Sequence, residues 1–183
     1  MEAFKLPQLL IIAGMGRNTG KTTLACTIIH KFSPLTSVVA LKITPHFHKN
    51  IESGTVLTDN ANLYIAEETS SATGKDSSLM LEAGAMKSYF VMATDQYLGE
   101  AFLEILKVIP SGALIICESG GMRHHVIPGL FLMMKNTRPG SLKPGAEKLM
   151  LLSDRVITFD GKKIDFDINT IEITDNQWTL KQT

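Results

Sequence analysis

A chain of 183 residues is the size of one domain with a sizeable core, and its balance of 18 basic against 18 acidic side chains gives no reason to expect a nucleic-acid or anionic-membrane partner. Its 44% hydrophobic and 20% charged content fits a soluble globular protein, and Cys26 and Cys117, which lack Cys-x-x-Cys spacing, read as buried, reduced thiols. No apolar segment reaches membrane-spanning length, and the start of the chain, with Glu2 and Pro7, lacks the layout of a signal peptide, so a cytoplasmic location is expected.

The first element is a strand over residues 8–13, an apolar run without two-residue alternation, as expected of a strand buried on both faces. A glycine-rich turn follows, and then a helix over 21–32 with Leu24, Ile28 and Phe32 on one stripe. Residues 37–43 make the next buried strand. Residues 44–76 show little periodicity apart from a turn of helix near 60–68, and read as a long irregular segment over the active edge. Helix 77–86, strand 88–93, helix 95–108 and strand 113–117 come next, and the second of these helices carries Leu98, Ala101, Phe102 and Ile105 as one apolar face. Strand 130–134 leads into a second irregular stretch, 136–145, punctuated by Pro139, Gly140, Pro144 and Gly145. Helix 145–153 and strand 155–159 complete the alternation. Beyond the Asp160-Gly161 turn signal, Ile164, Phe166, Ile168, Ile171 and Ile173 alternate with polar residues, which predicts an antiparallel addition at one edge of the sheet. The expected fold is a single α/β domain, a doubly wound and mostly parallel sheet with helices between strands.

The strongest chemical signal lies at the first strand-to-helix turn, Gly14-Met15-Gly16-Arg17-Asn18-Thr19-Gly20-Lys21-Thr22-Thr23. It follows the pattern G-x-x-x-x-G-K-[ST] with Met15 in place of the first glycine and Gly14 and Gly16 on either side. Backbone N–H groups of Gly16 to Thr23 and the helix start would cradle a triphosphate, with Lys21 on the β- and γ-phosphates and the Thr22 hydroxyl on Mg²⁺. Arg17 and Asn18 read equally as solvated turn residues or as extra phosphate contacts. The second half of such a P-loop NTPase site is expected where strand 113–117 ends in Glu118-Ser119-Gly120-Gly121: Glu118 as a Mg²⁺ ligand, directly or through water, and the Gly121 N–H as a γ-phosphate sensor. His46, His48, His124 and His125 fall in loops at the same edge, where polar loop residues are the plainer reading and a transition-metal site the sharper one.

These residues together resemble the molybdopterin-guanine dinucleotide biosynthesis protein B family of small P-loop GTPases. The resemblance spans roughly residues 8–135 and rests on Asn18-Thr19-Gly20-Lys21-Thr22-Thr23, on Leu41-Lys42-Ile43-Thr44-Pro45-His46, on Gly74-Lys75-Asp76-Ser77 with Glu82-Ala83-Gly84-Ala85, and on Glu118. It implies a homodimeric, Mg²⁺-dependent nucleotide-binding protein that hydrolyses GTP weakly by itself and assists attachment of a nucleotide to the molybdenum cofactor. That makes GTP a better expectation than ATP and a switch in cofactor or metal-centre assembly the leading role. On the same ground Asp76 becomes a candidate for the Mg²⁺ or water-positioning network; read alone, it is equally a helix cap. Glu118-Ser119-Gly120-Gly121 is also similar to the Glu-Ser-Gly-Gly of urease accessory GTPases and to the glutamate-then-glycine motif of dethiobiotin synthetase, which keeps an ATP-dependent small-molecule kinase or ligase as the alternative. A nucleotide-binding module that only scaffolds a partner is a third. No [NT]-K-x-D guanine motif is present; Asp160-Gly161-Lys162 reads as a surface turn or, less simply, as a contact to the base.

Overall fold

A computed structural model describes residues 3–47, 54–137 and 143–181. In chain order the elements are β1 (Phe4–Gly14), α1 (Lys21–Phe32), β2 (Val38–Thr44), β3 (Thr55–Asp59), β4 (Leu63–Glu67), α2 (Asp76–Glu82), β5 (Lys87–Ala93), α3 (Leu98–Leu106), β6 (Leu114–Glu118), β7 (Val126–Asn136), α4 (Ala146–Leu151), β8 (Arg155–Phe159), β9 (Ile171–Thr174) and β10 (Gln177–Leu180). Eight strands form one sheet in the order β3-β4-β5-β2-β6-β1-β7-β8, and the six from β5 to β8 run parallel. Every strand and helix expected in the alternating part of the sequence is present, with ends shifted by a few residues.

Alternation along each strand divides the core into two layers. Leu9, Ile11 and Ala13 of β1 face α3 and α4, where Leu98, Ala101, Phe102, Ile105 and Leu149 pack. Leu10 and Ile12 face the other way, against Leu24, Ile28 and Ile29 of α1 and Met80 of α2. Both faces of the sheet are thus covered, which is why its strands read as continuous apolar runs.

Two expectations are corrected. Residues 44–76 are not an irregular segment with a helical turn near 60–68; they contain the hairpin β3–β4, which supplies the antiparallel edge of the sheet beside β5. Asn60 turns the chain by accepting the N–H groups of Asn62 and Leu63 on its side-chain oxygen, both at 3.0 Å. Leu63, Tyr64, Ile65 and Ala66 are then all buried, so no two-residue pattern marks the strand. The tail, in turn, does not extend the main sheet. One antiparallel bridge, Phe159 to Ile164, touches β8, and the chain then forms a separate β9–β10 hairpin against the α1 face.

Trp178 of β10 is what that hairpin inserts. Its ring is fully buried, meets Phe32 of α1 edge-on at 5.2 Å, and donates its indole N–H to the Ile115 carbonyl at 3.1 Å. Trp178→Ala is expected to cost about 3–5 kcal/mol in urea unfolding, since it leaves a large cavity and removes the indole hydrogen bond. A loss below about 1 kcal/mol would show that the hairpin is a loosely attached appendage.

Candidate functional site

In a parallel sheet wound on both faces, side chains converge beyond the carboxyl ends of the strands. At that edge β1 passes through the loop 15–20 into α1. Asn18 and Gly20 both take left-handed backbone, with φ 52° and 79°. Gly20 caps α1 without a side-chain hydrogen bond, so the first N–H groups of the helix are left for another acceptor. A Cβ at Gly20 would also lie 2.9 Å from the Phe159 ring, which closes the end of β8 over the loop. Gly14 is needed for a different reason: a Cβ there would collide with Thr19 Oγ1 and lie 3.0 Å from Lys21 Cδ. Gly14 therefore supplies the close approach, and Met15 in the position expected of the first glycine is simply buried in the core. Thr19 Oγ1 is itself buried and has no hydrogen-bond partner among the described residues. The loop is further tied by Lys143 N–H to the Met15 carbonyl at 2.8 Å and by the Asn136 amide to the Arg17 carbonyl at 3.4 Å. The Arg17 and Asn18 side chains are exposed, as is Thr23.

Beside the loop, four side chains from four elements form a closed ring. Glu118 ends β6 and is only 2% exposed. In the sheet it is the register partner of Ile12 in β1 and of Lys42 in β2, so Lys42 and Glu118 are neighbours on the face that α1 and α2 cover. The Lys42 ammonium lies 2.5 Å from Glu118 Oε1 and 2.6 Å from Asp76 Oδ2. On the other side the Thr22 hydroxyl donates to Glu118 Oε2 at 2.7 Å and stands 3.1 Å from Asp76 Oδ1. Lys21 Nζ approaches Glu118 Oε1 at 3.8 Å.

The structure thus brings Lys21, Thr22, Asp76 and Glu118 together, and it adds Lys42, which the sequence reading did not single out as a site residue. Its signal was available: a lone ammonium next to the end of an apolar strand buried on both faces needs an acid. Asp76 opens α2 but does not cap it; the cap position is Lys75. The start of α2 is held instead by Ser77, whose hydroxyl donates to buried Glu68 at 2.9 Å.

The electrostatics follow from this crowding. Burial pushes the Lys21 ammonium below its ordinary value; Glu118 opposes the shift, while Lys42 and Lys143 add to it. Burial would lower Lys42 too, but Glu118 and the hydrogen bonds to both carboxylates outweigh it and hold the group above its usual range. Asp76 is pushed up by burial and pulled further down by Lys42 and Thr22, so its net shift is downward. Cys26, on α1 beside the ring, is raised to about 11 by burial and by Asp76, Glu118 and Glu82, which makes it a poor nucleophile.

Gly121 packs against α3: a Cβ there would lie 2.8 Å from Leu98 Cδ2. Asp160 accepts the N–H groups of Lys162 and Lys163 at 2.7 Å each, the surface-turn arrangement. His46 hydrogen-bonds through its backbone N–H to Thr44, His125 packs by Gly99, and His48 lies outside the described residues, as do 138–142 of the second loop. Among the described residues no three His, Cys, Asp or Glu side chains are grouped to hold a metal, which leaves the transition-metal reading of the histidines without a cluster. A hard ion asks for less: Mg²⁺ is held by one or two carboxylates together with phosphate and water oxygens, and Thr22, Asp76 and Glu118 present such an oxygen set. No family model, curated protein or solved structure matches the chain, and no helix among the described residues is long and apolar enough to cross a membrane.

A Lys42 pKa raised in the folded state gives a stabilising contribution that is whole below pH 10.5 and is lost as the pH rises through the raised value. The gap in urea midpoint between the protein and Lys42→Gln is therefore expected to be steady near neutrality and to narrow above pH 10.5. A gap that widens there contradicts the ring as described.

Proposed function

We propose that this chain is a P-loop nucleoside triphosphatase that binds Mg²⁺ with GTP, or less favourably ATP, on the loop 14–23 and turns over slowly. The observation that carries the reading is the convergence on one loop of an uncapped helix start, an orphaned buried Thr19 hydroxyl, Lys21, and the Thr22–Glu118–Asp76 oxygens. Free N–H groups at the start of α1 bind phosphate oxygens, and Lys21 adds a charge whose burial strengthens it. Thr22, Glu118 and Asp76 would hold the metal, which when bound supplies charge neutralisation for the β- and γ-phosphates. Phosphoryl transfer needs positioning and charge more than covalent chemistry, so these groups suffice for a basal rate. Asp76, the candidate for orienting water, is engaged by Lys42 and Thr22, which favours slow hydrolysis until a partner or second subunit completes the site.

The GTP preference, the homodimer and a role as a switch in molybdenum-cofactor or metal-centre maturation rest on the family resemblance, and the cytoplasmic location rests on composition alone. Its Gly74-Lys75-Asp76-Ser77 piece gains support from the position of Asp76 in the ring. One feature favours the alternative of an ATP-dependent small-molecule kinase or ligase: a groove of about 350 Å³ between α1 and α2, lined by Thr22, Thr23, Cys26, Leu79, Glu82 and Ala83, opens beside the loop where an acceptor would sit.

Titration with non-hydrolysable GTP and ATP analogues in Mg²⁺, paired with a phosphate-release assay, tests the proposal. Lys21→Ala is expected to weaken triphosphate binding about 10- to 100-fold while keeping the native circular dichroism. Unchanged affinity in that variant, or fast hydrolysis by the protein alone, contradicts it. Hydrolysis that accelerates only with one small metabolite would favour the kinase or ligase.

A further inference from the structure

The ring poses a problem of occupancy. The two carboxylates that a divalent ion would take already share the Lys42 ammonium, 2.5 Å from one and 2.6 Å from the other. Lys42 takes Glu118 Oε1 and Asp76 Oδ2, which leaves Oε2 and Oδ1 on the Thr22 side for a metal; the two cations would then lie on the same two carboxylates, and their mutual repulsion drives Lys42 off at least one of them. Charge counts the same way. Glu118 and Asp76 against Lys42 and Lys21 sum to zero, and Glu118 is buried, so adding a divalent ion alone would leave the pocket strongly positive. A triphosphate brings the negative charge that makes such an addition tolerable. It also offers the displaced ammonium a new acceptor, because Lys42 is on the sheet face that α1 covers, beside Thr22 and Lys21. The side chain is 18% exposed on a four-carbon stem, and Asp76, the partner to be released, is itself 41% exposed at the start of α2.

Resting on the nucleotide reading above, we propose that Lys42 gates the cation site. Its ammonium bridges Glu118 and Asp76 until metal arrives with triphosphate, then passes to a phosphate oxygen, so that metal binding is conditional on nucleotide. The same movement passes Asp76 from Lys42 to the metal, where it still does not orient water, and delivers a second cation to the phosphates. Lys42 would therefore supply from within the chain a charge that many phosphoryl-transfer sites take from outside. A purely structural Lys42, pinning α2 to β6, would keep its place and leave metal binding indifferent to nucleotide.

Mn²⁺ binding read by electron paramagnetic resonance, with and without a non-hydrolysable triphosphate, separates the two. The wild-type protein is expected to take up Mn²⁺ only when triphosphate is present. Lys42→Met and Lys42→Gln are expected to bind Mn²⁺ alone at least about tenfold more tightly than the wild type does, since the competing cation is gone while both carboxylates remain. Variants that keep the native circular dichroism but bind Mn²⁺ no better than wild type overturn the gate. So does a wild-type protein whose Mn²⁺ affinity is the same with and without triphosphate, a result that needs no variant to fold. Should a separate titration find no triphosphate bound to the wild type, the nucleotide reading fails by itself, and the metal-alone comparison still decides the role of Lys42.

Discussion

One buried carboxylate organises this molecule's working edge. Glu118 ends a strand in the middle of the sheet with 2% of its surface exposed, and an ionised acid in that position costs several kcal/mol unless it is paired and hydrogen-bonded. Its oxygens are met by Lys42 on one side, Thr22 on the other and Lys21 at longer range. Satisfying this single group therefore draws together the strand before it in space, the start of α1 and, through Asp76, the start of α2. The strand order makes this possible: β6 lies between β2 and β1, so Lys42 and the loop that follows β1 flank Glu118 directly.

The loop itself is held from the opposite side. Phe159 lies over Gly20, Lys143 reaches Met15 through its backbone, and Asn136 reaches the Arg17 carbonyl, so the ends of β7 and β8 and the segment before α4 fix its far wall. The cradle between this neutralised acid cluster and the aromatic wall is left with the N–H groups at the start of α1, the buried Thr19 hydroxyl and Lys21, a set of donors that matches the proposed polyanion. The hairpin β9–β10 sits away from this edge, and its contribution is to cover α1 with Trp178.

How much of this could be read from residues alone follows from the physics of each signal. Strands buried on both faces and helices with one apolar stripe leave strong composition and spacing marks, and those elements were legible. The β3–β4 hairpin was not, because β4 has four consecutive buried residues and β3 is mostly exposed, so neither alternates. The tail did alternate, yet alternation fixes only that one face is buried; it does not say which surface buries it, and the face of the sheet over β1 and β7, beside α1, does so rather than the sheet edge. At the site, Lys21, Thr22 and Glu118 stood out because their spacing to glycines is tied to a mechanism. Lys42 lay within the Leu41–His46 piece without a role of its own; a lone ammonium near the end of a buried strand calls for an acid, and the register that sets it beside Glu118 shows which one.

The most direct test of the account is a crystal structure with Mn²⁺ and a non-hydrolysable nucleoside triphosphate, read by the anomalous signal of the metal. The metal peak is expected within about 2.2 Å of Thr22 Oγ1 and in first- or second-sphere reach of Glu118, with phosphate oxygens on the N–H groups at the start of α1. A metal bound elsewhere, or phosphates that avoid Lys21 and the start of α1, would contradict it.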